Sequence, residues 1–264
     1  MRIAIIGMGL IGTSVAMAAR RAWPSLDVTD IDRDQPLDAA VDADTIVLAA
    51  PVDANISIIT THGRRFASSV VTDAGSSKRA TITAARAQGL SNFVGGHPMA
   101  GAASSGPGEA RADLFDGNPW FLFPRGADPR ALTRMRAFVE ALGARPTLLD
   151  DDGSEHDRVM AAVSHLPQIV ASALMTVAGE ATASGGLDWA GNGLRDTTRL
   201  AAGSADIWSS ILATNRDAVR PLLLTLSDRL RALADRLDDP QAVRTLFDAA
   251  NLHRRRLIES RQES

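Results

Sequence analysis

The fold is decided close to the N-terminus, where residues 2–12 read RIAIIGMGLIG. An apolar run typical of a buried strand passes directly into a glycine-rich turn and then into a helical stretch. Gly7 permits the tight turn, Gly9 lets the backbone approach a pyrophosphate, and Gly12 lets the helix pack against the strand. The helix N-terminus, with roughly +0.5 charge, would face the phosphates. The predicted cofactor-binding residues of this turn are Gly7, Gly9, Leu10, Ile11 and Gly12.

A carboxylate at the end of the second predicted strand bears on which dinucleotide binds. Asp30 occupies this position, where an acid accepts hydrogen bonds from the ribose 2′-hydroxyl and repels a 2′-phosphate. NAD is therefore the expected cofactor. Arg33 lies close enough to pair with a 2′-phosphate, so NADP stays the alternative. We expect both side chains to contact the cofactor.

The chain divides into two parts of different pattern. Up to about residue 150, short apolar runs alternate with helical stretches, which predicts a parallel sheet covered on both faces. Beyond that point long helical segments follow, with no convincing strand. We predict a Rossmann-type, mostly parallel sheet in residues 1–150 and an all-α substrate-binding and dimerisation domain in residues 151–264. The predicted strands are 2–6, 26–31, 45–49, 69–72, 92–95 and 120–123.

Composition excludes several classes of protein and site. The formal net charge of -3 gives no broad electrostatic case for nucleic acid or an anionic membrane as a partner. The absence of cysteine excludes disulfides, thiolate metal sites and cysteine nucleophiles, and we expect no metal. The absence of tyrosine excludes dehydrogenases that rely on a Tyr/Lys pair. We find no signal-peptide pattern and no apolar run of about 20 residues, so we expect a cytoplasmic protein.

Two further stretches follow predicted strands, at the edge where open α/β sheets bind their ligands. Residues 73–78 read DAGSSK and residues 95–101 read GGHPMAG. Flanking glycines and a following proline predict a rigid loop that presents His97, and histidine titrates near pH 6.5, so it can take a proton as hydride leaves. Ser76 is either a site residue or the cap of a helix that begins near Ser77.

Five motifs in register resemble the prephenate/arogenate dehydrogenase family of tyrosine biosynthesis. Besides the three stretches above, residues 164–168 (SHLPQ) are similar to the family's SHLPH, and residues 195–201 (RDTTRLA) to its RDxTRIA. The resemblance covers nearly the whole chain. It implies oxidative decarboxylation of a cyclohexadienol, prephenate to 4-hydroxyphenylpyruvate or arogenate to tyrosine, with hydride transfer to NAD.

The resemblance also implies a role for individual side chains. His97 is the catalytic base that hydrogen-bonds the ring hydroxyl, and Ser76 holds that hydroxyl or the histidine. Arg199 binds the ring carboxylate, which suits the guanidinium fork. Asp196 stands near the entrance of the site. His165 either packs between helices or supports the site from behind.

Two roles stay open. Where relatives often have a second histidine, this chain has Gln168. A neutral amide facing the substrate side chain would tolerate the amino group of arogenate, whereas a packing role would leave the substrate preference undecided. Arg199 is either the carboxylate clamp or a structural residue that pairs with Asp196 or Asp188.

A leucine stripe in the C-terminal part supports a homodimer. The leucines recur every three or four residues, so they share one helix face that packs either within the domain or against a second copy. Family members pair through this half, and we expect a homodimer. The stripe comprises Leu222, Leu226, Leu230, Leu233 and Leu237.

Three rival functions remain as alternatives. The first is a paralogue that oxidises 4-amino-4-deoxyprephenate, which only the chemistry of the pocket would distinguish. The second is a β-hydroxyacid dehydrogenase or imine reductase. The hydroxyacid enzymes use a lysine in the helical half, and this chain has no lysine after Lys78. The third is a non-enzymatic NAD-binding sensor, which would bind the cofactor without turnover.

Overall fold

A computed structural model describes residues 1–101, 106–182 and 185–259. The described chain forms a seven-stranded sheet with helices on both faces, and further helices follow it. The strands are β1 (Arg2–Ile6), β2 (Asp27–Ile31), β3 (Thr45–Leu48), β4 (Val70–Asp73), β5 (Phe93–Pro98), β6 (Pro119–Phe123) and β7 (Arg145–Leu148).

The sheet order is β2-β1-β3-β4-β5-β6-β7. Strands β1 to β5 are parallel, β6 runs antiparallel to β5, and β7 runs parallel to β6. The prediction of a Rossmann-type, mostly parallel sheet followed by a helical domain is confirmed. All six predicted strands are present. The prediction missed β7, a four-residue edge strand with two partly buried residues, which leaves little apolar signal to read.

Helices cover the sheet in two layers, α1 and α4 on one face and α2 and α3 on the other. Alternate residues of β1 point into the two cores, because side chains of a strand alternate between its faces. Ile3 and Ile5 face α1, whereas Ala4 and Ile6 join the opposite core. The helices are α1 (Leu10–Ala22), α2 (Val52–His62), α3 (Arg79–Ala87) and α4 (Pro129–Ala141).

After the sheet the chain is helical. A continuous segment runs from α5 through a π-helical turn at Ala161–His165 into α6. A 3-10 turn at Arg199–Ala202 separates α7 from α8. Helix α8 is tied to α2 by Ser210, whose hydroxyl donates to the Asp53 carboxylate at 2.6 Å. The elements are α5 (Ser154–Met160), α6 (Leu166–Thr182), α7 (Asn192–Thr197), α8 (Ala205–Thr214), α9 (Arg216–Ala234) and α10 (Pro240–Glu259).

Residues 1–219 and 220–264 form two compact units, and α5 to α8 belong to the first with the sheet. The division at residue 150 stays a prediction. By length and composition alone, the helical segment Ser154–Thr182 is apolar enough to cross a membrane. The same segment contributes His156, Asp157 and His165 to hydrogen bonds with strand β5 and with the loop after β4. It is therefore a helix of the globular fold in this structure. The cytoplasmic location stays a prediction.

Candidate active site

The glycine-rich turn leaves room for a ligand at only one of its glycines. A Cβ on Gly12 would lie 1.9 Å from the Gly7 carbonyl oxygen, and one on Gly7, whose φ is +102°, would lie 2.5 Å from the backbone nitrogen of Ala50. A Cβ on Gly9 would meet nothing within 4 Å. Gly9 is the N-cap of α1 and has no side chain to cap the first N–H groups of the helix. The turn therefore presents an open surface and helix N–H groups that its own N-cap residue does not bond, which suits a pyrophosphate.

Those donors belong to the first helical residues. Leu10 and Ile11 begin α1, and the first intrahelical bond runs from the N–H of Thr13 to the carbonyl of Gly9 at 3.0 Å. Leu10 and Ile11 are both partly exposed. The five residues predicted from the sequence thus lie together at one end of the sheet.

Asp30 is not the last residue of its strand, where the sequence pattern places it. Asp30 lies inside β2, opposite Ile5 of β1, and its carboxylate pairs with Arg20 of α1 at 2.9 Å. The strand ends one residue later at Ile31, whose carbonyl accepts the N–H of Gly7 at 2.8 Å. Asp32 is therefore the first carboxylate beyond the edge of the sheet, beside the glycine turn.

The side chains that follow this edge are exposed. One oxygen of Asp32 accepts the backbone N–H of Arg33 at 2.9 Å. The Arg33 side chain is exposed, next to Asp32. Asp30 thus lies one residue before the end of β2, and Asp32 lies one residue after it. The role of Asp30 as a cofactor contact stays a prediction.

A buried ion pair connects the loop after β4 to the end of strand β5. Lys78 and Asp73 are both fully buried and in direct contact, and Lys78 also donates to the carbonyl oxygen of Gly96 at 2.6 Å. The Asp73 carboxylate accepts the N–H of Gly75 at 3.1 Å and that of Gly96 at 3.2 Å. Burial lowers the pKa of Lys78, and the Asp73 charge opposes that shift. The pair fixes the end of β5 relative to the loop that carries Ser76.

His97 lies within β5, not in a loop as predicted. The strand continues to Pro98 because residues 95–98 pair with β6. The ring packs 6.4 Å from that of Phe121, and its Nδ1 lies 2.9 Å from Nε2 of His156. Burial lowers the pKa of His97 well below 6.5, and nearby His156 and Lys78 lower it further. His97 is therefore neutral at neutral pH and can accept a proton.

His156 and Asp157 are site residues that the sequence reasoning missed. His156 is 3% exposed and Asp157 is 2% exposed, so both are removed from water. Nδ1 of His156 lies 2.9 Å from a carboxylate oxygen of Asp157. That carboxylate also accepts the backbone N–H groups of Lys78 at 2.7 Å and Arg79 at 3.0 Å, at the N-terminus of α3. The signal was an adjacent His-Asp pair near the start of the helical half.

Ser76 does not cap α3, because Asp157 fills that role. The Ser76 hydroxyl lies 3.2 Å from Nε2 of His165, and Nδ1 of His165 lies 3.1 Å from the amide nitrogen of Asn215. The Trp208 ring packs edge-on to the His165 ring, with centroids 5.9 Å apart. Burial lowers the pKa of His165 to about 4, so this ring is neutral at neutral pH. Ser76 and His165, two predicted residues, are thus in contact.

The predicted carboxylate-binding region is open to solvent. Arg199 and Asp196 are exposed, and within residues 1–101, 106–182 and 185–259 neither side chain makes an ion pair. The alternative in which Arg199 pairs with Asp196 or Asp188 therefore has no support. Arg195 lies in α7 and Arg199 in the following 3-10 turn, so the two do not share one helix.

Gln168 supports that 3-10 turn from the interior. It is 6% exposed, and its amide nitrogen donates to the carbonyl of Leu200 at 2.6 Å. A Cβ on Gly203 would lie 2.9 Å from the same nitrogen, so the chain passes close to the amide both within the turn and directly after it. Gln168 therefore holds the segment that presents Arg199.

Comparison with known proteins identifies the family to which this arrangement belongs. Residues 6–148 match the family profile described as prephenate dehydrogenase, nucleotide-binding domain. Residues 152–248 match the profile described as prephenate dehydrogenase, dimerization domain. A prephenate dehydrogenase of Lactococcus lactis is 30% identical over an alignment of 274 positions, which spans 94% of this chain and 75% of the relative.

Two solved structures share the fold over nearly the whole length of both chains. The prephenate dehydrogenase of A. aeolicus, in complex with hydroxyphenyl propionate and NAD+, is 23% identical with a TM-score of 0.82, over 97% of this chain and 98% of that one. The arogenate dehydrogenase of Synechocystis is 27% identical with a TM-score of 0.69, over 97% and 99%. The chain is therefore an oxidoreductase of the prephenate dehydrogenase family.

Proposed function

We propose that this protein converts prephenate or arogenate to an aromatic product by NAD-dependent oxidative decarboxylation. One observation supports this above the others: a buried, neutral histidine, His97, stands at the carboxyl edge of the sheet beside the loop of Ser76. A neutral imidazole can take the hydroxyl proton of a cyclohexadienol as the carbon that bears the hydroxyl loses hydride. The family supplies the substrate class, because its members are named for prephenate and arogenate.

The cofactor is NAD, held by the glycine-rich turn. NAD, when bound, accepts the hydride. The open surface at Gly9 and the donors of Leu10 and Ile11 would hold its pyrophosphate. Asp32, rather than Asp30, would accept the ribose hydroxyls, since Asp30 is already paired with Arg20.

The reaction balances with one base. Nε2 of His97 accepts the proton of the ring hydroxyl while hydride leaves the ring carbon that bears this hydroxyl. That carbon becomes a carbonyl carbon. The ring carboxylate then leaves as carbon dioxide, and the electrons of the broken bond make the ring aromatic and place a negative charge on the former carbonyl oxygen. That oxygen takes the proton back from His97. Aromatisation drives the second step, so the protein needs to supply only orientation and proton transfer.

Arg199 is the residue that we assign to the ring carboxylate. Its exposed guanidinium has no ion-pair partner in the part of the chain that the structure describes, and it can form two parallel bonds with a carboxylate. Gln168 acts through the backbone of Leu200, not by direct contact with the substrate side chain. Asp196 lies in the same exposed region and would face charged groups at the entrance.

The protein is a homodimer in this proposal. No residue among the described positions 220–259 is buried in the single chain, although both helices there carry large apolar side chains. Leu230 is 57% exposed and Phe247 is 61% exposed, which leaves apolar surface for a second copy to cover. The match to a dimerization domain supports this occupant. Light scattering at micromolar concentration should give twice the chain mass, and a monomer mass would exclude the dimer.

The deciding experiment supplies prephenate and arogenate separately, each with NAD and with NADP. Absorbance of the reduced cofactor and release of carbon dioxide are followed together, because the reaction yields one of each per turnover. The His97→Asn variant is the control for catalysis by the protein. Cofactor binding with neither substrate turned over would exclude this function and leave a binding protein.

A further inference from the structure

We propose that Asp157 is a positioning residue that sets the hydrogen-bonding roles of both His97 and Ser76 through two separate chains of contacts. One chain starts at its carboxylate and ends at His97. The other starts at its backbone carbonyl and ends at Ser76. The inference rests on the proposed function for its catalytic meaning, whereas the two chains are properties of the protein without substrate.

The first link is the Asp157 carboxylate, which acts only as an acceptor. It receives the backbone N–H groups of Lys78 and Arg79 at the N-terminus of α3, where a negative charge is favoured. Its contact with Nδ1 of His156, at 2.9 Å, therefore requires the hydrogen on the histidine. His156 is thereby fixed with its proton on Nδ1.

The second link is the contact between His156 and His97, which fixes the position of the hydrogen on His97. In the proposed arrangement the His156 ring carries only this hydrogen on Nδ1, so its Nε2 is an acceptor. It faces Nδ1 of His97 at 2.9 Å, which requires the hydrogen on His97. Nε2 of His97 is then left as a lone pair. That is the atom with which a base must meet the ring hydroxyl.

The second chain fixes Ser76 in the opposite sense. The amide nitrogen of Asn215 donates to the Asp157 carbonyl at 2.8 Å and to Nδ1 of His165 at 3.1 Å. His165 is neutral because its pKa is about 4, so its hydrogen is on Nε2, which faces the Ser76 oxygen at 3.2 Å. Ser76 accepts this bond and keeps its own O–H to donate.

Together the chains present one acceptor and one donor to the same group. A substrate hydroxyl can give its hydrogen to His97 and receive one from Ser76. Low exposure protects the arrangement, since His156, Asp157, His165 and Asn215 are each no more than 3% exposed. Water cannot easily substitute for any link. If Asp157 only capped α3, its contact with His156 and its link to His165 through Asn215 would have no role.

The direct test is nitrogen-15 NMR of the histidine side chains in the full-length protein without substrate. Long-range couplings show which ring nitrogen carries the hydrogen. The expected result is Nδ1–H for His97 and His156 and Nε2–H for His165. Nε2–H on His97 in the unmodified protein would overturn the proposal, even if prephenate is turned over. The expected tautomers without turnover of either substrate would instead refute the proposed function.

Two variants separate positioning from helix capping. His156→Phe keeps an aromatic ring between Phe121 and Phe123 and leaves the Asp157 cap intact. It should move the hydrogen of His97 to Nε2 and lower kcat by roughly 10²–10³, as expected for a base in the wrong tautomer. Asp157→Ala should lower kcat similarly and also lower the Tm. If His156→Phe retains kcat within about threefold, Asp157 is only a cap.

The second chain has its own variant and control. Asn215→Leu should leave the His97 tautomer unchanged and lower kcat about tenfold, the equivalent of one hydrogen bond of about 1.4 kcal/mol. Asp217→Asn removes the exposed partner of Arg79 and should change neither kcat nor any tautomer. An unchanged kcat in Asn215→Leu would remove the second chain from the proposal. In all variants the Kd for NAD should stay within about twofold of the parent protein.

Discussion

The sheet-edge loops and the Arg199 turn serve the same proposed reaction but are built in opposite ways. Lys78 and Asp73 are fully buried, and their partners are all within the protein. Arg199 is exposed and has no ion pair within the described residues. Proton transfer needs a base whose tautomer and pKa are fixed before the substrate arrives, and burial achieves that. A carboxylate clamp needs only a charge that the substrate itself completes.

The largest effect is expected at His97. His97→Asn should lower kcat by roughly 10²–10⁴ because acid–base catalysis is lost, while the Kd for NAD stays near that of the parent protein. Steady-state kinetics and isothermal titration with NAD measure the two quantities. A parallel loss of NAD affinity would mean that β5 had been disrupted, and near-normal turnover would exclude His97 as the base.

The buried pair should matter for folding rather than for substrate binding. Lys78→Met leaves the Asp73 charge buried without its partner and should lower the free energy of unfolding by about 3–5 kcal/mol. The matched control is Arg65→Met, which removes an exposed ion pair with Asp38 and should cost less than about 1 kcal/mol. Urea unfolding compares the two variants. Equal losses would contradict the contrast between buried and exposed pairs.

Arg199, which is exposed, should matter for substrate binding rather than for folding. Arg199→Ala should lower kcat/KM by about thirtyfold to several thousandfold, because removing one member of a charge pair that becomes desolvated costs roughly 2–5 kcal/mol. Much of the loss should appear in KM, since the carboxylate is bound in the ground state too. The Tm should hardly change. Arg195→Ala is the control, and a sharp fall in Tm with an unchanged KM would make Arg199 structural.

The preference for NAD over NADP tests whether Asp32 or Asp30 contacts the ribose of the cofactor. The parent protein should use NAD at least about tenfold more efficiently than NADP, about 1.4 kcal/mol in binding. Asp32→Ser should remove most of that preference, whereas Asp30→Asn, which breaks only the pair with Arg20, should retain it. The ratio of kcat/KM for the two cofactors measures the effect. Loss of preference in Asp30→Asn alone would restore Asp30 as the ribose contact.

The smallest effect concerns pH. Because the pKa of His97 is well below 6.5, the base stays unprotonated as the pH falls from 8 to 6.5, and kcat/KM should change by less than about twofold. Activity should fall only at lower pH. A midpoint of the kcat/KM profile at pH 6.5 would indicate a solvated base.

The free energy of unfolding should also decrease as the pH falls below 6.5. The histidines of the unfolded chain become protonated near that pH, whereas buried His165 becomes protonated only at a pKa of about 4.

The local sequence pattern predicts the sheet well because the apolar residues of each strand already indicate that the strand is buried. The apolar runs of β1 and β3 to β6 need no partner to be recognised. Gly12 is required by a local contact, since a Cβ there would meet the carbonyl of Gly7, whereas Gly7 is confined by Ala50, which follows β3. The sequence pattern predicts a loop at His97 because glycine and proline usually end strands, whereas pairing with β6 extends β5 through both.

The class of fold, the dinucleotide turn and the candidates His97, Ser76 and Arg199 all follow from the order of amino acids alone. The surroundings of these residues depend on how the chain folds in three dimensions. His156 meets His97 across 59 positions of sequence, and Asp157 meets Lys78 across 79. Periodicity records which side of an element is buried, but not which distant side chain meets it there. Because hydrogen-bond partners determine the tautomer and pKa of a buried histidine, the chemistry of this site depends on contacts that no local pattern contains.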